Sequence, residues 1–410
     1  MKSLKLAVRL LYNNISFHGL LILQTILVFA IASSVVSETN SFFYQKNLIK
    51  NLNNDYYAFF QTINERDLLS GTSEAELLTS FSTFDLNSVN QSLNGKTEFI
   101  TEHSIFATQE TTQEVFCISA FDQKLLSNVS VPLLRGKWIT DVDKNNSYIR
   151  FVTDCTAYNI GDKIPLIIND DGEKIHITLI VTGIAKTPFY SPTTSATATN
   201  PDVSTIMSEY EKSDPGNYIS GIMCLEDLSL DLRSIIKYDF NYHVFFEESL
   251  TKSELEENIN ILKRYGSISS GKEILNETDK NIYEILKLQL PDIIFISLIA
   301  LVGFCGISLI NISSNMPLFA LYSILGCSNR KCYLVLLFYV LIIDLSALFP
   351  IILLLISATF SETIVAYYPF VNSSTFLVVF IIALLFVIIS FAFVFISFQK
   401  QSSKQILRGE

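Results

Sequence analysis

The sequence predicts a membrane protein of four transmembrane α-helices with a large α+β domain on one side of the bilayer. Three observations carry that class. Apolar runs long enough to cross a hydrocarbon core of about 30 Å occur at Phe17 to Val36, Ile293 to Ile312, Cys332 to Ala358 and Phe376 to Phe398. The formal charge of −11 is unevenly divided: Glu38 to Pro291 holds 36 acids against 21 bases, a net of −15. That same interval is rich in β-branched runs and turn residues, with helical patterns at its ends.

The charge division orients the chain. Lys2, Lys5 and Arg9 precede the first run, Arg330 and Lys331 stand between the second and third, and Lys400, Lys404 and Arg408 follow the fourth against Glu410 alone. The positive-inside rule assigns these short basic segments to the cytoplasm. The expected order is a cytoplasmic amphipathic lead (1–16), a first span (17–37), an extracytoplasmic domain (38–291), a second span (292–313), a cytoplasmic elbow (314–331), a third span (332–358), a short external loop (359–375), a fourth span (376–398) and a cytoplasmic tail (399–410). In the lead, Leu4, Val8 and Leu11 recur at helical spacing opposite Lys5 and Arg9, the pattern of a helix lying in the interface. A cleaved signal peptide with Ala32, Ser33 and Ser34 at its cleavage site is the rival reading. The apolar stretch exceeds the roughly 7–15 residues of an h-region, so a retained span is expected.

After the first span a helix is predicted to continue through Phe42, Phe43, Leu48 and Leu52. EVFCISA (Glu114 to Ala120) reads as a strand, and KIPLIIN and KIHITLIVTGI read as a hairpin about Asp170, Asp171 and Gly172. FVTDCTAYNIGD reads as a short helix ending at Gly161, and the Ser/Thr/Pro-rich tract from Thr187 to Pro201 as a surface loop. In TKSELEENINILKRYG, Ser253 and Glu256 have capping-box spacing, Leu255, Ile259 and Leu262 share a face, and Gly266 is the stop. Ile274 to Leu290 reads as a stalk helix leading to the second span at Pro291.

Motifs for chemistry are scarce. GSISSGK (Gly266 to Lys272) has Walker A spacing, but Glu273 replaces the hydroxyl residue needed for magnesium, and a turn between two helices is expected there. His18, His103, His176 and His243 have no metal-ligating spacing, and His176 reads as a structural strand residue. Cys117, Cys155 and Cys224 fall in the external domain without a CxxC pair, so one disulfide is possible, unassigned, and unpaired thiols are expected. No catalytic, cofactor-binding or metal site is expected in the chain, nor a nucleic-acid partner. Asp344 lies within the third apolar run, where an ionisable group faces a protein interior or finds water; a contact between helices and a shallow hydrated position are both open.

Two stretches resemble the MacB/FtsX family of ABC transporter permeases. NMPLFALYSILGCSNRKCYLVLL (Asn315 to Leu337) is similar to the family segment R-x-x-E-I-G-I-L-R-A-L-G-A-S-x-R-x-I, with Phe319, Leu321, Leu325, Gly326, Ser328 and Arg330 on matching positions. Leu318 replaces the usual Glu, and Ser323 the usual basic residue. Independently of the family, a short apolar helix with Pro317 near its start and Gly326 at its end makes a cytoplasmic elbow. The second stretch comprises VPLLRGKWI, YNIGDKIPL and IVTGIAKTPF, where Leu134, Gly136, Trp138, Ile160, Gly161, Asp162 and Gly183 match the MacB-like core domain in order.

The resemblance implies a permease of a bacterial cytoplasmic membrane, without enzyme activity of its own, whose ATP and Mg sit on a separate ABC ATPase. It implies a second permease copy or paralogue as dimer partner, and ATPase coupling through Leu318, Leu321, Leu325, Gly326 and Arg330. It also implies an extracytoplasmic peptide, lipid, drug or protein as cargo. An FtsX-like regulator of a cell-wall hydrolase and a membrane-anchored sensor are the alternatives.

Overall fold

In the computed structural model, residues 2–12, 15–50, 52–62, 86–143, 148–170, 173–210, 213, 218–229, 233, 237–238, 241–324, 328–358 and 368–400 are described. The helices are α1 (Lys2–Tyr12), α2 (Ile15–Leu48), α3 (Leu86–Gln91), α4 (Gln123–Asn128), α5 (Val203–Ile206), α6 (Lys252–Leu262), α7 (Gly271–Ile324), α8 (Asn329–Ala358) and α9 (Ser373–Lys400). The strands are β1 (Tyr57–Gln61), β2 (Thr97–Ile100), β3 (His103–Gln109), β4 (Val115–Phe121), β5 (Leu133–Gly136), β6 (Ile149–Thr153) and β7 (Lys163–Asp170). They continue with β8 (Glu173–Ala185), β9 (Tyr190–Pro192), β10 (Met207–Glu209), β11 (Tyr218–Cys224), β12 (Lys237–Tyr238), β13 (Asn241–Phe246) and β14 (Ser267–Ser270). Two compact units result, Met1–Ser41 with Tyr283–Glu410, and Phe42–Ile282.

The first unit is helical. Among the described residues four helices are long and apolar enough to cross a membrane, covering His18–Leu48, Gly271–Ile307, Arg330–Ala358 and Ser373–Ile396, and the chain is a membrane protein. Buried hydroxyls in α2 return their hydrogen bonds to their own helix: Thr25 Oγ1 donates to the Leu21 carbonyl (2.9 Å) and Ser33 Oγ to Phe29 (2.7 Å). This is the cheapest way to satisfy a polar group in an apolar setting. Asn372 caps α9, its Oδ1 accepting from the Ser374 and Thr375 amides at 2.9 and 3.2 Å, and the Asn40 amide donates to the same oxygen at 3.2 Å. α1 packs against α8 through Ala7, which is fully buried, with Leu6 and Leu11 beside it. Val8, on the apolar stripe expected to lie in the interface, is half exposed.

The expected stalk and elbow are not separate helices. α7 runs unbroken from Gly271 to Ile324 through Pro291 and Pro317. A proline inside a helix forfeits one hydrogen bond and costs about 3 kcal/mol, less than the surrounding apolar turns supply. α2 ends at Leu48, short of the predicted Leu52.

The second unit is β-rich. A four-stranded antiparallel sheet has the order β14-β1-β13-β2, and a larger sheet the order β12-β3-β4-β11-β6-β8-β5. β7 pairs with both β8 and β3, so β3, β4, β11, β6, β8 and β7 close into a ring. Alternation explains its filling: His103, Ile105 and Ala107 of β3 are buried while Ser104 and Phe106 are exposed. Ile164 and Leu166 of β7 and Ile177, Leu179 and Val181 of β8 join Phe116, Phe151 and Ile219 in one core. The hairpin and the EVFCISA strand lie where the alternation predicts, as β7–β8 and β4; Asp171 and Gly172 fall outside the described residues.

Four local expectations differ from the structure. Ile149–Thr153 is strand β6, buried at every position and paired with both β8 and β11, because the β-branched Ile149, Val152 and Thr153 gain more from two neighbouring strands than from an isolated helical turn. The tract after Thr187 is a surface loop only in its second half: Phe189 to Thr194 is buried and includes strand β9, and the Asn241 amide donates to the carbonyls of Thr194 (2.9 Å) and Ala196 (3.0 Å). Ser267–Ser270 of this tract is strand β14, with Ile268 opposite Phe60 of β1, rather than a turn. The cap of α6 is Thr251, whose hydroxyl accepts from the Glu254 amide while Glu254 accepts from the Thr251 amide; this places the box two residues before the Ser253 and Glu256 pair.

Candidate functional site

The family-motif residues, scattered over fifty positions of sequence, meet along a few residues of β8. Gly136 pairs with Gly183 in the β5–β8 register, and the Lys137 amide donates to the Thr182 carbonyl at 2.9 Å. The Gly161 amide donates to the Val181 carbonyl (2.8 Å), and the Val181 amide donates back to the Asp162 carbonyl (3.0 Å). Asp162 also closes its own turn, Oδ2 accepting from the Asn159 amide at 2.7 Å. Gly136 has φ +91°, and a Cβ there would run into the Thr182 carbonyl oxygen and lie 2.8 Å from the Gly183 Cα. Only glycine tolerates both the φ and the approach. Gly161 shares the φ of +91° but faces open space.

Trp138 follows immediately. It is buried in the core beside α4, and its indole N–H donates to the Leu126 carbonyl at 2.8 Å, satisfying the last turn of that helix. Leu134 and Ile160 are exposed. The motif thus makes a rigid junction among β5, the loop before β7 and β8; it presents no acid–base pair.

Pattern reading misses the strongest polar tie of this unit. Arg150 is 3% exposed. Its Nε and Nη2 donate to both carboxylate oxygens of Asp227 at 2.7 and 2.8 Å, and Nη1 donates to the Ile139 and Val142 carbonyls at 2.9 and 2.8 Å. A partner far away in sequence leaves no local signal for this Arg; its place in the otherwise β-prone run IRFVT is the nearest thing to one. Glu102 is likewise buried and accepts from the hydroxyls of Ser119 and Thr193. Burial pushes the His243 imidazole down to about 4, and its Nδ1 lies 2.8 Å from the Tyr57 hydroxyl. His176, by contrast, is exposed on β8 and reaches Glu110 at 2.7 Å. Cys117, Cys155 and Cys224 are free thiols. Among the described residues no three His, Cys, Asp or Glu side chains are grouped to hold a metal ion.

In the helical unit Asp344 is 6% exposed, and its Oδ1 has no hydrogen-bond partner among the described residues. On the same helix, Tyr339 is hydrogen-bonded at 2.8 Å to His18 of α2, both side chains buried. His18 is the polar group that the spacing of the histidines does not single out; its position inside the first apolar run is the available signal. Of the coupling residues, Leu321 is 56% exposed near the end of α7, Leu318 lies within α7, and Arg330 is exposed in the first turn of α8. Phe319 is buried in the helical core. Leu325 and Gly326 lie outside the described residues.

No protein-family model matches the sequence, and no curated relative matches it. Among solved structures, the periplasmic region of MacB from Actinobacillus actinomycetemcomitans is similar at 13% identity, covering 57% of this chain and 94% of that one with a TM-score of 0.29. The extracellular domain of the noncanonic ABC-type transporter YknZ from Gram-positive bacteria is similar at 10% identity, covering 55% and 94% with a TM-score of 0.25.

Proposed function

We propose that this chain is the permease subunit of an ABC transporter of the MacB/FtsX type, with its β-rich unit outside the cytoplasm and both termini inside. The observation that supports it most is the meeting of Gly136, Gly161, Asp162 and Gly183 along β8, where the motif that resembles the family forms one junction rather than a chance string of glycines. The charge pattern supports the orientation, since Lys5, Arg330 and Lys331 flank the same ends of the apolar helices as the positive-inside rule requires. ATP hydrolysis belongs to a separate ATPase bound at the end of α7, with Leu318, Leu321 and Leu325 on the contacting face and Arg330 beside them. A second permease copy or paralogue completes the assembly. The cargo is an extracytoplasmic peptide, lipid or drug.

Leu321 is the residue to test, because a leucine 56% exposed at a cytoplasmic helix end offers apolar surface to a groove on a partner. Leu321→Asp would bury an unpaired carboxylate at that contact, at a cost of about 3 kcal/mol or more. Copurification of the ATPase from native membranes reads the effect. A mutant that inserts normally and recovers the ATPase undiminished would overturn the docking assignment.

A further inference from the structure

A groove of about 220 Å³ lies within the helical unit between α1, the start of α2 and the middle of α8. Its walls are apolar: Val8 and Tyr12 of α1, Gly19 and Ile22 of α2, and Ile343 of α8, with His18 and Ser346 at its polar margin. Neither polar side chain breaks the apolar lining, because His18 is engaged with Tyr339 and the Ser346 hydroxyl donates to the Ile342 carbonyl of its own helix at 2.7 Å. Position 19, on the α2 wall of the groove, is glycine. A Cβ there would meet nothing within 4 Å, so no packing demand explains a residue that helix interiors disfavour.

The charge beside the groove selects the ligand. Lys5, Val8 and Tyr12 stand at i, i+3 and i+7 on α1 and are all exposed, so the Lys5 ammonium lies one helical turn from a residue that lines the groove. No acid occurs before Glu38, whereas Lys2, Lys5 and Arg9 do, and a basic amphipathic helix attracts anionic lipid. We propose that this groove binds an anionic phospholipid, an acyl chain lying against Gly19, Ile22 and Ile343 and the headgroup phosphate meeting Lys5. The site depends on the chain being in a membrane and not on any ATPase, so it stands or falls apart from the transporter reading.

Native mass spectrometry of the full-length protein, released from detergent after incubation with phosphatidylglycerol or with phosphatidylcholine of the same acyl chains, tests it. Phosphatidylglycerol should be retained preferentially, because choline neutralises the same phosphate in phosphatidylcholine, and Lys5→Glu should lower phosphatidylglycerol retention about tenfold or more while changing that of phosphatidylcholine much less. Gly19→Leu, or Ser346→Phe if the first fails to fold, should fill the groove and abolish retention of both. Gly306→Leu, at another open helix position, should change neither. Equal retention of the two lipids, undiminished retention in a folded groove-filling variant, or an equal loss with Gly306→Leu would overturn the site. A photo-crosslinker at Val8 in native membranes should capture lipid; capture of a polypeptide instead would also overturn it.

Discussion

In α2, the buried hydroxyls of Thr25 and Ser33 bond four residues back along their own helix, whereas in the β-rich unit Arg150 bonds Asp227, 77 residues away. The helical unit closes its buried α2 hydroxyls locally and adds a few long-range polar ties, His18 with Tyr339 and Asn40 with Asn372, among side chains that are otherwise largely apolar. The β-rich unit is held at particular points by long-range polar ties and by glycines that admit another backbone. A lipid-facing helix cannot leave polar atoms for water to satisfy, so local solutions are favoured there. A water-facing domain can spend side chains on distant partners. The two units should therefore respond differently to the same kind of change.

The largest difference is expected between two buried carboxylates. Asp227→Ala leaves the Arg150 guanidinium buried without its partner and should destabilise the β-rich unit by about 3–5 kcal/mol. Asp344→Leu removes a carboxylate whose Oδ1 has no partner among the described residues and should leave the unfolding temperature of the helical unit unchanged or raised. Thermal unfolding of the full chain in detergent, with hydrogen exchange to separate the units, measures both. A loss of several kcal/mol on Asp344→Leu would erase the contrast.

Within the β-rich unit the glycines sharpen it further. Gly136→Ala suffers both a left-handed φ and a collision with the Thr182 carbonyl, and should cost about 3 kcal/mol or more. Gly161→Ala suffers the φ alone, about 1–2 kcal/mol. Chemical denaturation of the two variants gives the difference, and equal losses would mean that backbone approach along β8 contributes nothing.

The remaining effect is a pH dependence, spread over more than two pH units. His243 binds its proton with a pKa near 4 when folded, against 6.5 for the free group. The unfolded chain therefore takes up the proton first as pH falls, and stability declines from about pH 6.5 towards 4. Burial also lowers the pKa of His103, so His243→Gln should flatten the decline without removing it. An unfolding midpoint measured across that range, unchanged in slope by the substitution, would exclude His243 as a cause.

How much of this was legible in sequence follows the same division. The apolar runs need only length and composition to be recognised, and the hairpin from Lys163 to Ala185 needs only alternation between neighbours. β6 was not legible, because Phe151 and Val152 are strand residues only in the presence of β8 and β11, which lie later in the chain. The threonines after Thr187 look like loop until the Asn241 amide and the Glu102 carboxylate supply partners. Cap geometry decided between Thr251 and Ser253, which spacing alone could not. The motif glycines were legible by resemblance, but their reason, the shared approach to β8, needed coordinates. The Lys5 stripe was visible in sequence; the groove beside it was not.

The ring of six strands has one thin seam. β7 and β8 share eight residue pairs, whereas β3 and β7 share two, Thr108 with Ile167 and Gln109 with Leu166, helped by the Glu110 amide donating to the Pro165 carbonyl. A closed cylinder has no free margin on which a stray strand could build, but it opens where its stitching is sparse. Parting of these two pairs would lay bare the inward faces of Ile105, Ala107, Ile164 and Leu166 while every other hem of the cylinder stayed sewn. The seam is thus the joint of the ring with the fewest strand pairs, the β6–β11 joint with three coming next.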